Sequence, residues 1–237
     1  MNLKPALKAY HDRVLHLIRH QPRKVYQDFA PSFSQEGEDM VLRRIFGTQN
    51  EGFYVDVGAN DPIKFSNTYY FYLEGWRGIN IDAMPGSMDL FNKMRPRDIN
   101  IESAISDSRE VLTYYAFNEP ALNGFSKELS FERSQIKPYK IIFEREIQTV
   151  PLSEVLDRYL PDNQTIDFLT VDVEGLDFEV LRSNDWEKYR PLVVLAEDLE
   201  FSSFERMGES RIVTYLGNQG YQLFCKTVNT LIFKDNR

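Results

Sequence analysis

Carboxylic acids stand at the ends of four apolar runs in this sequence of 237 residues. Each run is short and has the composition of a buried strand, and the acids come where the run stops. In an open parallel sheet the carboxyl ends of the strands form one edge, where ligands bind. Carboxylates gathered there repel one another unless a cation or hydroxyl groups lie between them, so the pattern predicts a binding site. The acids are Asp56, Asp82, the pair Asp172 and Glu174, and the pair Glu197 and Asp198.

The first of these runs, "GFYVDVGAN" at residues 52–60, leads into a glycine turn. The dinucleotide fingerprint G-x-G-x-x-G has its second glycine where this chain has Asn60, and there is no P-loop lysine, so a diphosphate ligand fits poorly. Asp56 beside Gly58 suits the cationic end of a ligand, and Asp82, at the end of the next predicted strand, suits a ribose diol. S-adenosylmethionine has an ammonium, a sulfonium and an unphosphorylated ribose, and it is therefore the predicted ligand.

Helical and strand patterns alternate along residues 25–237, which predicts one α/β domain with a doubly wound, mostly parallel sheet. Two apolar runs, "YQLFCKT" and "NTLIFKD", predict a C-terminal antiparallel hairpin. Residues 118–145 have no clear period, so we interpret them as an excursion or lid. Predicted helices cover residues 35–47, 66–74, 86–94, 151–160, 176–183 and 209–218. Predicted strands cover residues 53–57, 79–82, 99–103, 111–117, 166–175 and 191–200.

Residues 1–24 predict a separate N-terminal amphipathic helix. Such a helix could dock on the body of the same chain, form a homo-oligomer with a second copy, or lie at a membrane surface. The spacing of His16 and His20 would allow them to hold a metal, although solvated histidines on a basic face are the simpler interpretation. The apolar seam of the helix consists of Leu3, Leu7, Tyr10, Val14 and Leu17.

Composition narrows the classes of function. The formal net charge of −8 at pH 7 argues against a nucleic-acid partner, because phosphate backbones are bound by basic surfaces. The single cysteine, Cys225, excludes an internal disulfide and fits a reducing compartment. The sequence shows no apolar run of membrane-spanning length and no signal peptide, so we expect a cytoplasmic protein.

Four motifs, "FYVDVGAN", "GINIDAMPG", "ESAISD" and "IDFLTVDVEG", occur in the order and spacing of the FkbM family of methyltransferases. The preceding "FSQEGEDMVL" resembles a segment found ahead of the core in many bacterial members. The resemblance implies a Rossmann-like fold, S-adenosylmethionine as methyl donor, and O-methylation, often of sugars in polysaccharide or antibiotic pathways. Carried over residue by residue, the implied donor contacts are Asp56, Gly58 and Asn60 at the methionine end, Asp82 at the ribose, and Ser103 and Ala104 near the adenine.

A sugar hydroxyl must lose its proton as the methyl group arrives. Every histidine lies within residues 1–24, so a carboxylate such as Asp172 or Glu174 could be the base, or a divalent metal could lower the pKa of the hydroxyl. Asp172, Glu197 and Asp198 are an oxygen-only set that suits Mg²⁺, similar to the set in metal-dependent macrolide sugar O-methyltransferases. In the alternative, Glu197 and Asp198 cap the next turn and Asp172 alone contacts the donor.

These patterns predict an O-methyltransferase that acts on a sugar or nucleotide-sugar acceptor in polysaccharide or glycoconjugate biosynthesis. Residues 118–145 are expected to contact the acceptor, because they carry Asn123, Phe125, Ser126 and Lys127, a mix suited to a sugar. The alternative is a non-catalytic ligand-binding or scaffold domain of the same fold, and the presence of all four acid positions counts against it. A metal-dependent hydrolase would usually have histidine ligands in its core, and the predicted core has no histidine.

Overall fold

The structure, a computed structural model of the chain, describes residues 30–199 and 204–237. Residues 1–24, with the predicted amphipathic helix, lie outside this part of the chain. Residues 33–237 form one compact α/β unit. Among the described residues, no helix has both the length and the apolar character needed to cross a membrane.

Helices and strands alternate along this unit, as the sequence predicts. The helices are α1 (Glu38–Phe46), α2 (Tyr69–Leu73), α3 (Met88–Met94), α4 (Lys127–Ser134), α5 (Leu152–Tyr159), α6 (Asp177–Arg182) and α7 (Arg211–Asn218), with 3₁₀ helices at Pro120–Leu122 and Phe204–Glu209. The strands are β1 (Phe53–Val57), β2 (Arg77–Asp82), β3 (Ile99–Glu102), β4 (Ala104–Ile105), β5 (Val111–Phe117), β6 (Ile141–Val150), β7 (Phe168–Val171), β8 (Val193–Glu197), β9 (Tyr221–Lys226) and β10 (Thr230–Asp235).

Seven strands form the central sheet, in the order β3-β2-β1-β7-β8-β10-β9. The first five run parallel to one another, while β10 is antiparallel to both β8 and β9. The predicted mostly parallel, Rossmann-like sheet and its C-terminal hairpin are therefore confirmed. The strand order reverses between β1 and β7, so the carboxyl ends of these two strands mark the switch point where ligands bind in such sheets.

Both faces of the central sheet are covered, because side chains alternate along each strand. On one face Val55 and Val57 belong to a largely aliphatic core. On the other face Tyr54 packs with aromatic residues that include Trp76 and Phe168. Burial on both faces explains why the strands appear in the sequence as nearly continuous apolar runs.

The region interpreted as an excursion, residues 118–145, has more regular structure than its sequence pattern indicates. It contains a 3₁₀ helix, α4 and the first half of β6. β6 pairs with β4 and β5 in a separate three-stranded sheet. Most of β6 is exposed, so its residues lack the alternation of a half-buried strand and the sequence does not predict it. α4 begins after Ser126, whose hydroxyl accepts the backbone N–H of Leu129.

Candidate active site

A cleft opens at the carboxyl ends of the central strands, next to the switch point. Four of the predicted donor contacts line it together with both predicted catalytic acids: Gly58, Asn60, Asp82 and Ser103, with Asp172 and Glu174. The segment at residues 118–145 also reaches the cleft, through Asn123 and Phe125, and the ring of Phe125 packs edge-on against that of Tyr114.

The turn after β1 places the backbone of β7 directly against Gly58. Gly58 has a φ of 88°, and a Cβ atom there would lie 1.7 Å from the carbonyl oxygen of Asp172. Its N–H donates to the carbonyl of Ile81 at 2.9 Å, so the turn is joined to β2 as well. The positive φ and the lack of room for a Cβ atom therefore both require glycine at this position.

Asp82 is held at the end of β2 by two backbone groups. One carboxylate oxygen accepts the N–H of Asn60 at 3.0 Å and the other accepts that of Met84 at 2.8 Å. Asn60 has a φ of 50°, a conformation that asparagine adopts more readily than most residues. Asp82 is only 9% exposed, and burial raises its pKa. Each carboxylate oxygen has a second lone pair, so Asp82 can still accept two ligand hydroxyls.

Asp56 lies beneath the cleft and does not line it. Because side chains alternate along β1, Val57 reaches the cleft and Asp56 points to the opposite face. Asp56 accepts the hydroxyl of Thr68 at 2.8 Å, and that hydroxyl also accepts from the fully buried Arg95 at 3.0 Å. Burial raises the pKa of Asp56 to about 6, and Arg95 opposes the rise. The structure thus places Asp56 in a buried polar network that supports the strand end.

Ala104 is the other predicted donor contact that does not line the cleft. It lies in a neighbouring pocket with Glu102 and Gln148, because the chain leaves the central sheet after β3 and continues in the smaller sheet as β4. Ser103, at the break between the two strands, lines both the cleft and that pocket.

Three carboxyl groups converge beside the cleft. Asp172, Asp177 and Glu197 each offer an oxygen atom within 4.8 Å of the other two. Val171 of β7 is paired with Ala196 of β8, so the residues that follow them, Asp172 and Glu197, are neighbours at the sheet edge, as the sequence predicts. This acidic cluster therefore contains two of the three predicted metal ligands.

The third member of the cluster differs from the prediction. Asp198 was expected to complete the set, but it is not in the cluster, and its carboxylate accepts the hydroxyl of Ser210 at 2.6 Å. Its place is taken by Asp177 in the first turn of α6. The carboxylate of Asp177 accepts the backbone N–H groups of Val173 and Gly175 at 3.0 and 3.1 Å, which folds the β7–α6 turn back toward the sheet.

The carboxyl groups of the acidic cluster lie so close together that they cannot all be ionised at once. Burial and the charge of Asp172 raise the pKa of Glu197 to about 11, and its second carboxylate oxygen is buried without a hydrogen-bond partner among the described residues. Burial also raises the pKa of Asp177 to about 7. The pKa of Asp172 is raised by desolvation and by the charges of Glu174 and Asp177, although its side chain is open to the cleft, where water tempers the desolvation. Glu197 therefore holds a proton that it donates to Asp172.

Glu174 lies on the cleft wall in the turn between β7 and α6. It adopts a φ of 57° and forms an ion pair with Arg133 of α4 at 2.5 Å. Burial raises its pKa, and the guanidinium of Arg133 opposes the rise. A Cβ atom on Gly124 would lie 3.1 Å from the Cβ of Glu174, so the segment before α4 packs closely on this turn.

Sequence reasoning gave no site role to the segment ahead of α1. Gln35 lines the cleft, and the next acid, Glu36, accepts the hydroxyl of Thr227 at 2.9 Å and the N–H of Asn229 at 2.9 Å. Glu38 contacts the same Thr227 hydroxyl at 2.8 Å. These contacts fasten the segment to the turn between β9 and β10. The polar run "SQEGED", which leads into the first turn of α1, is the signal that could have indicated them.

Comparison with known proteins decides the family. The family model described as the methyltransferase FkbM domain matches residues 56–223, which is more than half of the chain. The chain belongs to the FkbM methyltransferase family. The resemblance predicted from the four sequence motifs is therefore confirmed, and the family implies S-adenosylmethionine as the methyl donor.

Other comparisons add little to this assignment of an FkbM methyltransferase. No curated protein matches the chain. A solved structure, a TehB-like SAM-dependent methyltransferase from Corynebacterium glutamicum ATCC 13032 Kitasato, is similar at a TM-score of 0.41 and 11% sequence identity, covering 98% of this chain and 99% of that chain.

Proposed function

We propose that this FkbM methyltransferase transfers the methyl group of S-adenosylmethionine to a hydroxyl group of a sugar, in the synthesis of a polysaccharide or other glycoconjugate. The observation that carries the proposal is the position of Asp172 and Glu174. Both carboxyl groups have raised pKa values and line the same cleft as the predicted donor contacts. A base near the donor is what a hydroxyl acceptor needs, because it must lose its proton during the transfer.

The donor would lie along the cleft from the turn after β1 to the end of β3. Asp82 would accept the ribose hydroxyls, Ser103 would lie near the adenine, and the backbone at Gly58 and Asn60 would lie along the methionine end. S-adenosylmethionine supplies an electrophilic methyl group when it is bound. The residues of this chain hold and orient it, and Phe125 and Tyr114 exclude water from one wall.

Asp172 and Glu174 would share the task of accepting the hydroxyl proton. Desolvation and the charges of Glu174 and Asp177 raise the pKa of Asp172 toward the range of a general base, and its hydrogen bond with Glu197 opposes the rise. Glu174 is oriented by Arg133 and faces the same cleft. Removing the more important base should lower kcat by 10²–10⁴-fold, the usual contribution of general-base catalysis. We therefore expect Asp172→Asn and Glu174→Gln to retain donor binding and to lose transfer unequally.

We also propose that the acidic cluster holds a divalent cation, with Asp177 in place of Asp198. One carboxylate oxygen of Glu197 has no hydrogen-bond partner among the residues that the structure describes, which fits this proposal because a cation stabilises a buried oxygen that lacks a donor. Hard oxygen ligands suit Mg²⁺ or Ca²⁺, and such an ion would lower the pKa of an acceptor hydroxyl. Since the cluster holds protons when no cation is bound, affinity for the ion should increase with pH.

Methyl transfer from isotopically labelled donor tests the proposed activity. The acceptor panel should contain free sugars, nucleotide sugars and oligosaccharides, each analysed by mass spectrometry for the gain of one methyl group. We expect transfer to at least one sugar hydroxyl. Tight donor binding by calorimetry without transfer to any of these acceptors would favour the non-catalytic ligand-binding domain instead.

The cation has a separate test that does not depend on activity. Thermal unfolding is measured with Mg²⁺, with Ca²⁺ and with a chelator, in the wild type, Asp177→Asn and Asp198→Asn. We expect the wild type and Asp198→Asn to be stabilised by a cation, and Asp177→Asn to lose this response, because binding to the folded state raises its stability by mass action. Equal unfolding temperatures with the cations and with the chelator in the wild type would eliminate the metal.

A further inference from the structure

A side pocket adjoins the donor cleft at the ends of β7 and β8. Gln35, Phe65 and Asp172 line both the cleft and the side pocket, so these three residues form the border that the two share. Ser103, the predicted adenine contact, lies far from this border in the order of the strands, because it follows the edge strand β3. A ligand in the side pocket therefore contacts Asp172, one of the proposed bases, and leaves the adenine end of the cleft free.

An exposed phenylalanine lies on this border. Phe65 is 42% exposed and belongs to neither core of the central sheet. Among the described residues that line the side pocket, it is the one aromatic side chain. Its φ is 58°, a conformation that bulky residues rarely adopt. Phe65 therefore contributes neither to the core nor to a relaxed turn, and a flat apolar surface at a cleft is typical of a ligand contact.

The turn that carries Phe65 is held on both sides of the ring. The carboxylate of Asp61 accepts the N–H of Lys64 at 2.8 Å, and the N–H of Ser66 donates to a carbonyl of the segment ahead of α1 at 3.0 Å. The ammonium group of Lys64 lies 4.4 Å from the centre of the Phe65 ring and pairs with Glu119 at 3.3 Å. Lys64 thus covers one face of the ring. The other face is available to a ligand at little cost of ordering.

Side-chain amides line the same pocket. The carboxamide of Asn67 donates to the hydroxyl of Thr170 at 3.0 Å, and its oxygen has no donor among the described residues. The side chain of Gln35 is exposed at the border with the cleft. Carboxamides both donate and accept hydrogen bonds, as sugar hydroxyls do. An aromatic face with amides beside it therefore suits a sugar ring, which has apolar C–H groups on its faces and hydroxyls at its edge.

We propose that Phe65 is the residue that recognises the acceptor sugar, with the C–H face of the sugar packed on its ring and hydroxyls bound by Asn67 and Gln35. This inference rests on the proposed methyl transfer and identifies what selects a sugar for it. A sugar on the ring lies at the border with the donor cleft, where Asp172 can accept the proton of a hydroxyl. Covering about 80 Å² of apolar surface, half from the ring and half from the sugar, corresponds to roughly 30-fold in affinity.

The test is saturation-transfer NMR on the full chain loaded with S-adenosylhomocysteine. The probes are the methyl glycosides of glucose, galactose and mannose, which differ in their axial hydroxyl groups. Phe65→Ala removes the ring, and Phe65→Tyr keeps an aromatic face. The matched control is Phe224→Ala, because Phe224 is 52% exposed, has Lys234 over its ring at 5.1 Å, and lines neither the cleft nor the side pocket. Calorimetry with S-adenosylhomocysteine is carried out first on each protein.

We expect at least one glycoside to bind, with the strongest saturation on the C–H protons of one face of its ring. Phe65→Ala should bind it about 10–30-fold more weakly, whereas Phe65→Tyr and Phe224→Ala should stay within about two-fold of the wild type. No binding of any glycoside, or equal losses in Phe65→Ala and Phe224→Ala, would overturn the inference. A lower affinity of Phe65→Ala for S-adenosylhomocysteine would also overturn it, because the ring would then contact the donor. Failure of S-adenosylhomocysteine to bind the wild type would instead count against the proposed function, and calorimetry shows this before a sugar is added.

Discussion

Replacing Asp82 with asparagine tests the donor site by changing one atom of a side chain whose partners are known. Both carboxylate oxygens accept backbone N–H groups, from Asn60 and Met84. An amide has one acceptor oxygen, so one of these buried N–H groups would face an NH₂ group and lose its bond. Leaving one such group unsatisfied costs about 1–3 kcal/mol of the free energy of unfolding.

Donor affinity should decrease as well, for a different reason. Hydrogen bonds to a charged group contribute about 1.5–3 kcal/mol each, and asparagine has no charge and one acceptor fewer for the ribose hydroxyls. Since each 1.4 kcal/mol corresponds to a factor of ten, we expect Asp82→Asn to bind S-adenosylmethionine about 10–150-fold more weakly. Isothermal titration calorimetry measures this affinity, and urea unfolding measures the loss of stability separately.

Glu102 provides a matched control for this experiment. It is paired with Asp82 in the register of β2 and β3, and its carboxylate also accepts a backbone N–H, that of Gly86 at 2.7 Å. It does not line the donor cleft. Glu102→Gln should therefore keep donor affinity within about two-fold of the wild type. Unchanged affinity in a folded Asp82→Asn protein would refute the reasoning, because the ribose would then have to bind elsewhere.

Three further perturbations follow from the structure. Gly58→Ala should lower the free energy of unfolding by more than about 3 kcal/mol, because alanine would have a strained positive φ and would also clash with Asp172. Urea unfolding measures this, and a variant as stable as the wild type would show that the turn has room for a side chain. Arg95→Met should cost about 3–5 kcal/mol in the same assay, because it leaves Asp98, whose side chain is fully buried 2.8 Å from the guanidinium, without its cation. A loss below about 1 kcal/mol would contradict this. Burial raises the pKa of Asp56 to about 6, so its contribution favours folding at low pH and is lost as pH rises through that value. Relative to Asp56→Asn, the wild type should lose about 2.4 kcal/mol between pH 4 and 7, and parallel pH profiles would contradict this.

The central sheet could be predicted from the sequence because its strands are buried on both faces. Apolar runs that end in glycine or an acid identified β1 and β2, and the predicted strand at residues 111–117 is the same as β5. β6 could not be predicted, because an exposed strand has no alternation to detect. The predicted strand at residues 99–103 stops at Glu102, where the chain passes to a different sheet, and no local pattern in the sequence indicates that change.

The sequence predicts which residues line the cleft where the end of a strand alone determines their position. It fails where the direction of the side chain decides. Asp82 and Asp172 line the cleft as expected, because each follows directly from the end of a parallel strand. Asp56 does not, because one position along a strand reverses the face to which a side chain points. The sequence does not distinguish Asp177 from other acids in the first turn of a helix. Acids are common at that position because the helix dipole stabilises them there. Its role depends on how the β7–α6 turn folds back.

The contact between Glu36 and Thr227 joins residues that are 191 positions apart in the chain. During translation at about 5–20 residues per second, roughly 10–40 s pass between the synthesis of one partner and that of the other. The segment that carries Gln35 therefore lacks its contacts to Thr227 and Asn229 until the last hairpin has left the ribosome. The wall of the cleft next to Gln35 is therefore the last part of it to gain its full set of contacts.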